Sequence, residues 1–273
     1  MSSGKHFHNV LCLSEAKGMD IIMEMYIVTH KKFFPPNKEG YIPIQVGKEF
    51  TGIDLGILSD NTGENIAYKN KSYCELTAQY WMWKNVLEKG NIGLCHYRRY
   101  FTTNPFSANP KYFLSCKDID KLLQKYDIIL PQKLKMEVSV EEKYSSSGAG
   151  FQHDLDRLRS LIYNEYSDYS NAFEFVMKSN TQYYWNMFVM PFKYFDEYNN
   201  WLFDVLFKYE KMTDLTGYDV RQQRIYGYLS ERLLNVWVIY KNLKVYECPV
   251  VQTDKNSFDI VKGAIGTILR KAK

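Results

Sequence analysis

Short apolar runs alternate along the chain with longer stretches in which apolar residues recur every three or four positions. The runs predict buried strands and the periodic stretches predict helices with one buried face. Met25-Tyr-Ile-Val-Thr29 is the first strand and Tyr41–Val46 a second extended piece, with Phe33-Phe-Pro-Pro-Asn37 breaking the chain between them. Asp60-Asn-Thr-Gly63 has turn chemistry, since each of these residue types tolerates or nucleates a turn. From Ser72 to Leu87 the spacing of Tyr73, Leu76, Tyr80, Trp83 and Leu87 predicts a helix, opened by a Ser72–Glu75 capping box and stopped by Gly90. A strand at Ile92-Gly-Leu-Cys95 then runs straight into His96-Tyr-Arg-Arg-Tyr-Phe101.

The same grammar continues. Ser115 and Asp118 cap a helix that ends near Tyr126, and Asp127–Pro131 is the next strand. Residues 132–150 are polar and end in Ser-Ser-Ser-Gly-Ala-Gly, too loose for a core element, and so a candidate mobile loop over a site or a plain surface loop. Helices are predicted at Asp154–Tyr166, Tyr169–Lys178, Phe192–Lys211 and Val220–Tyr240, and strands at Tyr183–Met190 and Lys244–Val251. Strands alternating with helices imply an α/β fold, with a mainly parallel central sheet flanked by helices. The expected organisation is an extension at 1–22, a single domain at 23–252 and a basic amphipathic tail at 253–273. In that tail Ile260, Val261, Ala264, Ile265, Ile268 and Leu269 share a helical face, with Lys262, Arg270, Lys271 and Lys273 largely elsewhere. Such a helix suits an anionic membrane surface, or docking onto the domain's own core.

Composition narrows the function classes. With 45% hydrophobic residues among 273, the chain can bury one large core. The 23 Tyr residues supply contact area with a polar handle, suited to core packing and to stacking on sugars or bases. A net charge of +4 is too mild for a nucleic-acid binder and compatible with a phosphate-bearing small substrate or an anionic membrane. The five cysteines are scattered in apolar contexts with no CxxC pair, which points to reduced, buried thiols and no zinc site. No apolar run is long enough to span a bilayer, so the expected location is cytoplasmic, with peripheral attachment to the inner face of the cell membrane through the tail.

The strongest chemical signal is His96-Tyr97-Arg98-Arg99, placed just past a buried strand, where open α/β sheets bind ligands. Two guanidiniums there match phosphate oxygens. Thr29, His30 and Lys31 end the first strand on the same rim. Asn186 closes an aromatic strand segment and can hold a sugar hydroxyl through its amide. The helix from Val220 carries Arg221, Arg224, Glu231 and Arg232, either as structural ion pairs or as sugar contacts and an acceptor base. His153-Asp154 is a second candidate for such a base, or a helix N-terminus. P-loop, GxGxxG and GxSxG signatures are missing, and no Asp-x-Asp stands at the end of a mid-chain strand.

Thr29-His-Lys31, Ser72-Tyr-Cys-Glu-Leu-Thr77 with Tyr80-Trp-Met-Trp-Lys-Asn85, Ile92-Gly-Leu-Cys-His-Tyr-Arg-Arg-Tyr-Phe101, Tyr184-Trp-Asn-Met-Phe-Val-Met190 and Arg224-Ile-Tyr-Gly-Tyr-Leu-Ser-Glu-Arg-Leu-Leu234 occur together. The chain thereby resembles, from about Met25 to Val251, a capsular and exopolysaccharide synthesis family often labelled only as a domain of unknown function. Some of its members look like galactosyl- or galactofuranosyltransferases. The resemblance implies a glycosyltransferase A-like fold with a Rossmann-like nucleotide-binding core. It implies transfer of a hexose, galactose first, from a UDP-sugar donor to a lipid-linked saccharide acceptor in capsule, exopolysaccharide or O-antigen synthesis.

In that fold an Asp-x-Asp motif near residue 100 holds a metal, and here the place is taken by His96-Tyr97-Arg98-Arg99. The implied donor set is Thr29, His30, Lys31, Asp60, Asn65, His96, Arg98 and Arg99. Tyr97, His153, Asn186, Arg224 and Arg232 would flank the sugars, with Glu231 or Asp154 catalytic. Two guanidiniums can neutralise a leaving diphosphate, so no cofactor is required, and Asp60 and Asn65 are the candidates for a divalent cation (Mn or Mg) or for the uridine. Two alternatives stay open, a sugar-phosphate nucleotidyltransferase and a non-catalytic saccharide-binding or assembly protein of polysaccharide export.

Overall fold

The computed structural model describes residues 23–86 and 90–271, with side chains up to residue 267. The expected extension at 1–22, Cys12, and the end of the helix at Leu87 lie outside the described residues, as do the side chains of Ile268, Leu269, Arg270, Lys271 and Lys273.

One mixed sheet organises the chain. Its strands are β1 (Met23–Thr29), β2 (Tyr41–Gln45), β3 (Leu58–Ser59), β4 (Asn91–His96), β5 (Arg99–Phe101), β6 (Ile128–Pro131), β9 (Phe188–Pro191), β10 (Val245–Cys248) and β11 (Val250–Gln252). The two remaining strands, β7 (Leu134–Lys135) and β8 (Thr181–Gln182), form a separate antiparallel pair. Across the main sheet the order is β10-β6-β9-β4-β1-β2-β3. β1 runs parallel to β2 and β4, β2 to β3, and β10 to β6, while β9 is antiparallel to both of its neighbours. The mainly parallel sheet expected from the strand–helix alternation is therefore present, with β9 reversed within it and β5 returning antiparallel to β4.

Period-two alternation sorts the strand residues onto two faces. Tyr26, Val28, Leu94, Ile128, Leu130, Phe188 and Met190 enter the larger core, packed beneath helices Leu76–Asn85, Phe192–Lys211 and Ile225–Tyr240. Met25, Ile27, Cys95, Ile129 and Val189 enter a smaller core on the other face, closed by Ile119 of the Cys116–Leu123 helix and Ile260 of the C-terminal helix. Gly93 lies where the strands and side chains of this face leave little room, since a Cβ there would meet Met25 Sδ at 2.9 Å and Val189 Cγ2 at 3.1 Å. Among the described residues no helix is long and apolar enough to cross a membrane.

Several elements depart from their sequence expectation. The helix expected from Ser72 is broken into Asn70–Tyr73 and Leu76–Asn85, because Cys74 adopts φ +53° and turns the chain; Ser72 is not its cap. Of the strand expected at Tyr183–Met190 only the part from Phe188 forms, after a turn at Trp185 (φ +76°) and Asn186 (φ +50°). The helix expected from Val220 begins at Ile225, after a short turn at Gln222–Arg224. Residues 132–150 are not a loose loop, since they hold β7 and the Val140–Ser146 helix, whose Val140 and Tyr144 are fully buried. The tail is helical over Ser257–Lys271 but does not present one apolar face. Ile260 and Ala264 are buried against the body, whereas Phe258, Val261 and Ile265 are exposed.

Candidate functional site

A cleft of about 500 Å³ opens at the carboxyl ends of the parallel strands β1, β2 and β4. This is the edge at which such sheets bind ligands, because the chain leaves each strand there in a loop. Val28 and His30 line it from β1, Val46 from β2, and His96, Tyr97, Arg98 and Arg99 from β4 and the turn that follows. The turn is short: His96 pairs with Arg99 across an antiparallel hairpin, so β5 returns at once and pins both arginines.

The two guanidiniums differ. Arg98 forms a 3.0 Å ion pair with Asp254, with side-chain exposures of 41% and 43%, so solvent screens the pair and leaves it weak. Arg99 lies over the Trp185 ring at 5.2 Å, and its buried Nε has no hydrogen-bond partner among the described residues. Burial pulls the Arg99 pKa down, with the neighbouring Arg98 charge adding to this. A buried, unpartnered cationic donor is costly unless an anion meets it. His30 packs edge-on to Tyr97 at 5.5 Å, and burial together with Lys31, Arg98 and Arg224 lowers its pKa, which keeps the imidazole neutral near pH 7. Cys74 also lines the cleft, but burial pushes its thiol up to about 11, so it is not a ready nucleophile.

Behind the cleft, the left-handed Trp185-Asn186 corner ties three elements together. The Trp185 amide donates to Glu231 Oε1 at 2.8 Å, and its carbonyl accepts from His96 Nε2 at 2.7 Å. A carbonyl can only accept, so His96 carries its proton on Nε2. Asn186 is buried and donates through Nδ2 to Glu75 Oε1 at 2.8 Å and to the Gly227 carbonyl at 3.1 Å. The break at Cys74 is what turns Glu75 toward this corner. Glu231, with 13% of its side chain exposed, also accepts from Arg232 at 3.0 Å. Burial raises the Glu231 pKa, opposed by Arg232 and the Trp185 amide.

A second cleft of about 820 Å³ adjoins the first. Trp185, Tyr228 and Glu231 line both, so the carboxylate stands where the two meet. The far wall comes from 134–149, the segment expected to close over the donor. None of those residues lines the first cleft.

The structure thus brings His30, His96, Tyr97, Arg98, Arg99, Arg224 and Glu231 together, with Arg232 on the second cleft. It corrects the rest of the expected set. Thr29 is buried and closes the turn after β1, accepting from the Lys31 amide, while Lys31 lies over the Tyr97 ring at 5.2 Å and does not line the cleft. Asp60 is fully buried, with its carboxyl pushed up to about 6 by burial, and lines neither cleft. Asn65 caps a turn by accepting from the Ala67 amide. Asp154 is a helix cap: it is fully buried, accepts from the Phe151 amide at 2.7 Å and from the Tyr218 hydroxyl at 2.5 Å, and faces no cleft. His153 bonds the same Tyr218 hydroxyl at 2.9 Å, outside both clefts. Asn186 is buried behind the clefts, lines neither of them and braces Glu75. Glu75 and Trp185 are not legible as site residues in the sequence, because a regular helix and an unbroken strand would point them elsewhere, while Tyr228 joins the site from the helix that carries Glu231. Among the described residues, no three His, Cys, Asp or Glu side chains gather as a metal-binding group.

The family model described as a domain of unknown function (DUF4422) matches residues 24–242. A solved structure titled as the apo form of the WbbM bifunctional glycosyltransferase superposes with a TM-score of 0.79 at 28% sequence identity. The match covers 85% of this chain and 45% of that one, so this chain spans under half the length of that protein. No curated protein matches significantly.

Proposed function

The chain belongs to the family described as a domain of unknown function, DUF4422, and from that premise we propose that it is a glycosyltransferase using a nucleoside diphosphate sugar. The observation that carries this reading is the adjacent pair Arg98 and Arg99 lining a cleft at the carboxyl ends of parallel strands, with Arg99 in no ion pair among the described residues. The similarity to a glycosyltransferase structure supports it.

In this reading the first cleft holds the donor. Arg99, Arg98 and Arg224 meet the diphosphate, and Tyr97 and His30 offer ring faces to the nucleoside or the sugar. Glu231 is the base. An acceptor hydroxyl oxygen attacks the anomeric carbon and its proton passes to the Glu231 carboxylate. The bond from that carbon to the diphosphate breaks, and its electron pair leaves with the nucleoside diphosphate, whose growing charge the guanidiniums stabilise. Burial makes Glu231 a stronger base than a free carboxylate, and its bonds from Trp185 and Arg232 fix its aim. Arg98, Arg99 and Arg224 can offset the charge of the diphosphate, so in this reading transfer proceeds without an added divalent cation.

The donor to try first is UDP-galactose, and the acceptor a lipid-linked saccharide at the cytoplasmic face of the membrane, as the sequence resemblance implies. Phe258, Val261 and Ile265, exposed on the C-terminal helix beside Lys262, would touch that membrane. Isothermal titration with UDP and UDP-galactose, in EDTA and in manganese, tests the core of the reading. Binding in EDTA supports it, binding only in manganese removes the metal-independent step, and binding of neither UDP nor UDP-galactose in either condition rejects the UDP-sugar reading.

A further inference from the structure

The second cleft is the larger of the two, and its charges are unbalanced. Lys135, Lys143 and Arg221 line it, and none forms an ion pair among the described residues. The one lining carboxylate without a cation is Glu137, since Glu231 is already held by Arg232. Arg221 comes to this cleft because the helix expected from Val220 begins only at Ile225, so Arg221 and Arg224 diverge into different clefts. Tyr184, Trp185 and Tyr228 give the same cleft three aromatic side chains, surfaces on which a pyranose or furanose ring can lie.

We propose that this second cleft is the acceptor site and that it takes an anionic saccharide, a sugar bearing a phosphate or a carboxylate. The proposal rests on the donor reading of the first cleft. The sugar lies against the aromatic side chains with its nucleophilic hydroxyl at Glu231, and its anionic group reaches Lys143 and Arg221 near the mouth, where both side chains are exposed. The wall at 134–149 is a built surface, since Val140 and Tyr144 anchor the helix that carries Lys143. Exposed guanidinium and ammonium groups attract such an anion before it docks, and the attraction weakens with salt.

Three methyl glycosides of one hexose test the proposal: the neutral sugar, its uronate and its 6-phosphate. Each is titrated into the full chain by calorimetry with UDP at saturation, so that the first cleft is blocked, and UDP binding is recorded in the same experiment. The expected result is about tenfold tighter binding of at least one charged glycoside than of the neutral one, with the preference lost in Lys143→Glu/Arg221→Glu and reduced in Arg221→Ala. The uronate or the phosphate binding tighter identifies which anion the acceptor carries. Equal affinity for all three, or a charged preference that survives the double reversal, overturns the proposal. Failure of UDP to bind instead rejects the donor reading and is visible separately. Both positions are exposed, and an unchanged melting temperature excludes unfolding as the cause of a loss.

Discussion

The backbone amide of Trp185 donates a 2.8 Å hydrogen bond to the carboxylate of Glu231, joining the interrupted aromatic strand to the Ile225–Tyr240 helix at the junction of two clefts. The bond leaves Glu231 aimed but still basic, since burial raises its pKa. Glu231→Gln keeps the shape and an acceptor for the amide but cannot take a proton. The turnover number is expected to fall about 10²- to 10⁴-fold with UDP affinity retained. Steady-state kinetics beside calorimetry distinguishes this from a general loss of binding.

The same shift fixes a pH dependence. A base works when deprotonated, and the raised pKa moves its titration above the ordinary carboxylate range, so kcat is expected to fall with acidification while pH is still above that range. A kcat–pH profile checks this. An acid limb that persists unchanged in Glu231→Gln assigns the titration to another group.

Arg99 lines the cleft with no ion-pair partner among the described residues, whereas Arg98 already has Asp254. Removing a charged donor from a ligand anion costs about 1.5–3 kcal/mol, or roughly 10- to 150-fold in affinity. Arg99→Ala is therefore expected to weaken UDP binding by that factor, and Arg98→Ala by less. Arg99→Lys does not restore binding, because a point charge lacks the planar fork and the stack on Trp185. Equal losses at the two positions would contradict the distinction drawn between them.

Asp154 separates a structural carboxylate from a chemical one. Its bonds to the Phe151 amide and the Tyr218 hydroxyl stabilise the start of the Gln152–Glu165 helix. Asp154→Ala is expected to lower stability by about 1–3 kcal/mol in urea unfolding. The kcat of the folded fraction stays within about twofold of wild type, since no step of the transfer uses this group. A fall in kcat comparable with that of Glu231→Gln would return Asp154 to the site.

Asn186 combines a left-handed backbone (φ +50°) with two buried amide bonds. Asn186→Ala loses the bonds and strains the corner, an expected cost of about 2–4 kcal/mol. Asn186→Gly loses the bonds but relieves the backbone, and is expected to be the more stable of the two. Thermal unfolding of the pair measures the strain directly, and Gly no better than Ala would mean that the corner stores none.

Local rules were enough for much of this protein. The alternation of short apolar runs with periodic stretches determined the mixed α/β class, the Phe192–Lys211 helix and the Ser115–Asp118 capping box, because those features depend on neighbouring residues alone. The run His96-Tyr97-Arg98-Arg99 after a buried strand marked the ligand edge for the same reason: where a parallel strand ends, its loop must face the rim. What the tertiary structure decided depends on three residues held in left-handed backbone. Cys74 and Trp185 carry side chains that disfavour positive φ, and Asn186 only tolerates it, so no strong local signal predicts the breaks there. Packing across the sheet imposes them. They turn Glu75 and Trp185 inward, bring Glu231 to the meeting point of two clefts, and leave Asp154, as plausible a base on sequence alone, to cap a helix.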